Sequence, residues 1–130
     1  MIKQKTAYAD IRVDNRGIQD DFCISSQRNK IKHFAEANGF KLVSEYIDLT
    51  STCMPRPGLE ALLEDVANHK VDVVVITDIS RLARTPSDLR NILNTLRECE
   101  TELRSCDCSE KDLTLIELYF KEVVYANKRK

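Results

Sequence analysis

The sequence predicts an α/β fold in three layers, a mostly parallel sheet flanked by helices, and three observations point to it. Val71-Asp72-Val73-Val74-Val75-Ile76-Thr77 is nearly continuous in β-branched residues, the pattern of a strand covered on both faces. Strand-like and helix-like segments alternate along the chain, the order that repeated βαβ units require. Thr85-Pro86-Ser87-Asp88 combines a capping threonine, proline at the first helical position and an acid at the third, so a helix starts soon after the β-branched run.

The elements follow in order. Thr6 to Val13 carries enough small and β-favouring residues for a first strand, and Asp14-Asn15-Arg16-Gly17 supplies turn chemistry after it. Ser25 or Ser26 is the expected cap of a first helix whose Ile24, Ile31, Phe34 and Ala35 recur at helical spacing, with Asn38-Gly39 as its stop. Phe40 to Ile47 reads as a second strand. The polar, proline-punctuated stretch from Asp48 to Gly58 is long enough for a functional loop. It leads into a helix with the apolar stripe Leu59, Leu62, Leu63 and Val66. Val71 to Thr77 is the expected centre of the sheet, and the helix after Thr85 turns Leu89, Ile92, Leu93 and Leu96 inward. A weak fourth strand is expected near Glu102 to Ser105. Ser109-Glu110-Lys111-Asp112 is a second capping box, followed by apolar residues spread around more of the helix than one core face needs. That excess fits self-association, or a helix clamped between the sheet and a loop.

At 130 residues the chain is one domain by length, large enough to bury a core without staples. A hydrophobic content of 42% with 32% charged residues is that of a soluble globular protein, and no apolar run suits a membrane span or a signal sequence. A cytoplasmic protein is the expectation. The net charge of -1 excludes a domain that coats nucleic acid through bulk charge, so any contact with phosphates is local. The 5 cysteines are odd in number and irregularly spaced, as in reduced thiols rather than a disulfide framework. Cys99, Cys106 and Cys108 lack the spacing of a zinc knuckle, and His33 and His69 belong to other elements.

Ligands of open α/β sheets bind at the carboxyl ends of strands. Here those loops carry Arg12 and Asp14; Asp48, Ser51, Thr52 and Arg56; and Asp78, Ser80, Arg81 and Arg84. Arginines three residues apart lie on one side of a helical turn, and their forks of N–H donors suit a phosphate. Taken alone, Arg81 and Arg84 are equally a solvated surface pair. At least four arginines on one sheet edge fit phosphodiester chemistry, in which guanidiniums offset charge on phosphoryl oxygens. A nucleotide-binding domain is disfavoured, because no glycine-rich loop follows the first strand and Gly17 stands alone there.

Four local patterns in this order resemble the N-terminal catalytic domain of the serine site-specific recombinases, the resolvase and invertase family. Ile11-Arg12-Val13-Asp14-Asn15 is similar to the family's Ile-Arg-Val-Ser-Thr, and Ser26-Gln27-Arg28 to its Ser-Gln-Arg. Tyr46-Ile47-Asp48 with Ser51 and then Arg56-Pro57-Gly58-Leu59 is similar to Tyr-Val-Asp, a serine-glycine turn and Arg-Pro-Gly-Leu. Ser80-Arg81-Leu82-Ala83-Arg84 is similar to Asp-Arg-Leu-Ser-Arg.

The resemblance implies a resolvase-like sheet and recombination by breaking and rejoining DNA strands, with no metal or other cofactor. In that family a serine attacks the phosphodiester and holds the strand as phosphoserine, with arginines around the phosphate. Carried over by position, Arg12, Arg81 and Arg84 match phosphate-contacting arginines and Arg56 another active-site arginine. Gln27, Asp48 and Ser51 match supporting polar positions. The family serine falls on Asp14, and sliding the register by two residues puts Arg12 there and Asp10 in place of the first arginine. The aspartate before the family's Arg-Leu pair is Ser80. Both departures predict impaired chemistry, since a carboxylate would repel the DNA backbone and form an acyl phosphate ester.

By the same resemblance, residues 1–108 form the catalytic-type domain and 109–130 the start of a dimerisation and linker helix. The expected partners are DNA, through its phosphate backbone, and a second copy of the chain, through the 112–127 helix. The family continues beyond that helix into a separate DNA-binding region. The alternative function is a non-enzymatic oligomerising or regulatory module derived from a recombinase.

Overall fold

A computed structural model describes residues 4–13, 20–49, 55–83 and 85–106. The described residues form strands β1 (Thr6–Arg12), β2 (Lys41–Asp48), β3 (Val73–Ile76) and β4 (Glu102–Ser105). Between them lie helices α1 (Asp20–Ala37), α2 (Pro57–Asn68), α3 (Ile79–Leu82) and α4 (Pro86–Glu98). The sheet order is β2-β1-β3-β4 and every pair is parallel. Among these residues no helix is long and apolar enough to cross a membrane.

Alternation along β1 and β3 builds two cores. Ala7, Ala9, Ile11 and Val13, with Val73 and Val75, pack against Ile31 on α1. Tyr8, Val74 and Ile76 face the other way, toward Leu59, Leu62 and Val66 of α2 and Leu89, Ile92, Leu93 and Leu96 of α4. The doubly covered strand expected at Val71–Thr77 is therefore central, but it shares the centre with β1, because the chain turns back across β1 after β2. This reversal creates a topological switch point between the carboxyl ends of β1 and β3. Strand β2 is an exposed edge. Ala7 pairs with Leu42 and Tyr8 with Ser44, so Val43 is an extra residue that bends the edge out of a flat ladder.

Helix α1 departs from expectation at its start. It begins at Asp20, and Ser25 and Ser26 lie exposed inside it rather than capping it. The reason is tertiary: Ile24, Gln27, Ile31 and Ala35 continue one inward stripe, and packing along that stripe overrides the serines' preference for a cap. At its other end the chain stops as expected, with Gly39 at φ 72 and Phe40 N–H donating to the Ala35 carbonyl at 2.8 Å. Helix α4 starts as the sequence indicates, Thr85 Oγ1 accepting from Asp88 N–H at 3.1 Å. It ends in the same motif as α1, with Glu100 at φ 56 in the position glycine usually takes.

Candidate functional site

The carboxyl ends of β1, β2 and β3 gather buried polar side chains beside the apolar centre of the sheet. Asp10, Arg12, Gln27, Asp48 and Arg56 are all buried, Asp10 completely. Burying charge on this scale is tolerated only where partners are supplied.

Asp48 organises the edge beside β2. Helix α2 begins with Arg56 at its cap position and Pro57 at its first turn, and Arg56 caps nothing with its own side chain. The next two backbone N–H groups are satisfied from β2 instead: Gly58 donates to Asp48 Oδ1 at 2.7 Å and Leu59 to Asp48 Oδ2 at 3.0 Å. Gly58 is required by this contact. A Cβ there would stand 2.9 Å from Asp48 Oδ1 and 2.9 Å from the Ile47 carbonyl. Alanine elsewhere in a helix would gain stability over glycine, so the sign of Gly58→Ala is informative. It is expected to destabilise the fold by about 1–3 kcal/mol in urea denaturation, because the Ile47 carbonyl cannot withdraw without moving β2.

Arg56 ties three elements together. Its Nε donates to Asp48 Oδ2 at 3.2 Å, its Nη2 to Asp10 Oδ2 at 3.2 Å and its Nη1 to the Leu82 carbonyl at 2.7 Å. Burial is the main influence on Asp10 and raises its pKa from 3.8 to about 6; Arg56 and Arg12 pull it down, and Asp48 pushes it up. Tyr46, from the same Tyr46-Ile47-Asp48 stretch, points to the α2 side, where its hydroxyl donates to Asp65 Oδ2. Partial burial and then that hydrogen bond hold the phenol protonated well above its ordinary range.

Arg12 and Arg81 interlock at the switch point. Arg12 Nε donates to the Arg81 carbonyl at 3.2 Å, and Arg81 Nη1 reaches the Arg12 carbonyl at 3.5 Å. Gln27 Nε2 donates to the same Arg12 carbonyl at 3.0 Å, so α1 holds the end of β1 from the other face. Arg81 is half-buried on α3, the one-turn helix that follows β3.

The structure thus brings together Arg12, Arg81, Gln27, Asp48 and Arg56 of the residues singled out from sequence. Asp14, Ser51 and Arg84 lie outside the described residues, as does the 112–127 helix. Arg56 faces the buried carboxylates, whereas Arg12 and Arg81 contact each other's main-chain carbonyls. Asp10, Thr77, Thr101 and Ser105 are also buried and were not among the site residues expected from sequence. A carboxylate in the middle of a central strand was the available signal for Asp10, since it cannot be buried there without a cation. Asp10 Oδ1, Gln27 Oε1 and Thr77 Oγ1 find no hydrogen-bond partner among the described residues.

A family model for the resolvase N-terminal domain matches residues 7–121. No curated protein matches the chain. The fold is similar to the C-terminal catalytic domain of ISC1926 TnpA, an IS607-like serine recombinase, at 26% identity and a TM-score of 0.70, over 84% of this chain and 75% of that one. It also matches the N-terminal catalytic domain of TP901-1 integrase at 19% identity and a TM-score of 0.74, over 97% and 99% of the two chains. A resolvase family site-specific recombinase from Streptococcus pneumoniae matches at 22% identity and a TM-score of 0.71, over 96% and 91%. With the parallel sheet, the switch-point arginines and a family match across most of its length, this chain belongs to the resolvase N-terminal domain family and is a serine-recombinase catalytic-type domain, of the kind that serves site-specific DNA recombination.

Proposed function

We propose that the switch point between β1 and β3 is a phosphodiester site in which Arg12, Arg81 and Arg84 contact a DNA phosphate, with strand cleavage impaired because Asp14 holds the position of the family serine. The observation that carries the reading is the reciprocal contact of Arg12 and Arg81, in which each guanidinium meets the other residue's main-chain carbonyl at the sheet edge where α/β folds bind ligands. Two such groups offset the charge that gathers on phosphoryl oxygens when an oxygen nucleophile bonds to phosphorus and a sugar oxygen leaves with a proton. Gln27 supports this by holding the Arg12 carbonyl, and Asp48 with Arg56 by fixing the start of α2 and the end of α3. Ser51 belongs to the same support by position.

Residues 1–108 form the catalytic-type unit and 109–130 the start of a linker helix. Two copies pair through the apolar 112–127 segment, and the protein acts on DNA in the cytoplasm, where its 5 cysteines stay reduced. The replaced nucleophile also favours a second reading, a non-enzymatic module that pairs with an active recombinase and modulates it.

The test is an adduct assay on supercoiled DNA with natural and Asp14→Ser proteins. Covalent protein–DNA product only from Asp14→Ser is the expected result. Product from the natural protein would show Asp14 to be competent and overturn the impairment. Oligomers with DNA binding but no product from either protein would favour the regulatory module.

A further inference from the structure

We infer that Asp10 is a positioning residue of this site: through Arg56 it fixes where α3, and Arg81 with it, stands against the end of β1. The inference rests on the reading of Arg12, Arg81 and Arg84 as phosphate ligands.

Helix α3 has 4 residues, too few to hold a direction by itself, so its placement comes from ties to other elements. One polar tie is the reciprocal Arg12–Arg81 contact. A second, among the described residues, is Arg56 Nη1 to the Leu82 carbonyl at 2.7 Å. Both lead back to β1, to residues two apart on one face of the strand, because the Nη2 of the same guanidinium is held by Asp10 at 3.2 Å. Asp48 holds the opposite, Nε edge and also holds the start of α2.

Unlike Asp48, the Asp10 carboxylate accepts no backbone N–H among the described residues. Its Oδ1 is buried with no partner among the described residues, and its Oδ2 meets Arg56. An apolar residue would cost less in that place, whereas a carboxylate aims the Nη edge of Arg56 at α3. Without it, Arg56 keeps Asp48 but can swing about that contact and release Leu82.

The test measures binding of a fluorescein-labelled duplex DNA of mixed sequence at low salt by the full chain, as natural protein, Asp10→Asn and Arg81→Ala. Removing a negative charge beside a phosphate site ordinarily tightens binding. Positioning predicts the reverse. Asp10→Asn is expected to weaken binding roughly tenfold, the worth of one charge-assisted hydrogen bond. In the natural protein, affinity is expected to fall as pH drops through about 6 and Asp10 takes up its proton, a break absent from Asp10→Asn.

The charged groups that face Asp10 are Arg12 on its own strand, Asp48 on β2 and Arg56 ahead of α2. Protons taken up elsewhere on the chain add positive charge and push affinity for DNA up, opposite to the expected fall. The natural protein's profile therefore decides the matter even if Asp10→Asn does not fold. Equal or tighter binding by Asp10→Asn, or natural affinity that only rises toward acid, would overturn the role. If Arg81→Ala weakens binding and Asp10→Asn does not, only the positioning role falls. If Arg81→Ala changes nothing, the phosphate site itself is misplaced and both readings fall.

Discussion

Arg56→Ala is expected to destabilise the fold by about 3–5 kcal/mol near neutral pH, the usual cost of removing one partner from a buried ion pair. Asp48 would keep two backbone N–H donors, from Gly58 and Leu59. The completely buried Asp10 carboxylate would lose Arg56 Nη2, its hydrogen-bond partner among the described residues. The loss should depend on pH with a defined sign. Asp10 already titrates near 6 in the fold against 3.8 as the reference, so its ionisation at neutral pH costs roughly 3 kcal/mol of stability that is present in acid. A folded pKa above the unfolded one means stability fully present below the unfolded value and lost as pH rises through the folded one.

Removing Arg56 takes away the main group that lowers the Asp10 pKa, so the folded value climbs further. The penalty of Arg56→Ala should therefore shrink near pH ~4, where Asp10 is protonated in the variant, and grow toward pH ~7. Urea denaturation of both proteins at these two pH values measures it. A penalty that is small, or the same at both, would show that Arg56 does not neutralise Asp10 in solution.

Leu82→Ala is expected to cost about 2–5 kcal/mol, the range for deleting a buried leucine side chain. Its effect on function should exceed its effect on the fold. Leu82 is 1% exposed and, with Ile79, anchors the single turn of α3 in the core under α2 and α4. A one-turn helix can relax into the vacated space more readily than a long one, and moving it draws Arg81 away from Arg12. Leu93 of α4, at 0% exposure, provides the comparison. Leu93→Ala should cost similar stability in urea while leaving DNA affinity unchanged, whereas Leu82→Ala should lower both. Equal DNA binding by the two variants would mean that the polar ties to Arg12 and Arg56 orient α3 without help from packing.

The elements were legible wherever their signal is local. The β-branched run became β3, Thr85 caps α4, and even the weak strand at Glu102–Ser105 lies where its residues suggested, held through Cys106 N–H to the Ile76 carbonyl at 2.8 Å. The start of α1 was misread because serine has a real local preference for caps, while the stripe that overrides it works only against a sheet formed by other residues. Arg12, Gln27, Asp48, Arg56 and Arg81 could be singled out through short patterns and through the rule that strand ends carry ligands.

By itself the amino-acid sequence determined the alternation of strands and helices, the apolar stripes, the caps and the set of arginines at the strand ends, because each depends on neighbours within a few residues. Only the tertiary structure decided which arginine meets buried carboxylates and which meets main-chain carbonyls at the switch point. Arg56 and Asp10 are 46 positions apart, and Arg12 and Arg81 are 69 apart. A guanidinium near a sheet edge is a ligand or a tie according to the carboxylates packed beside it, and that neighbourhood exists only once β1, β2 and β3 lie side by side.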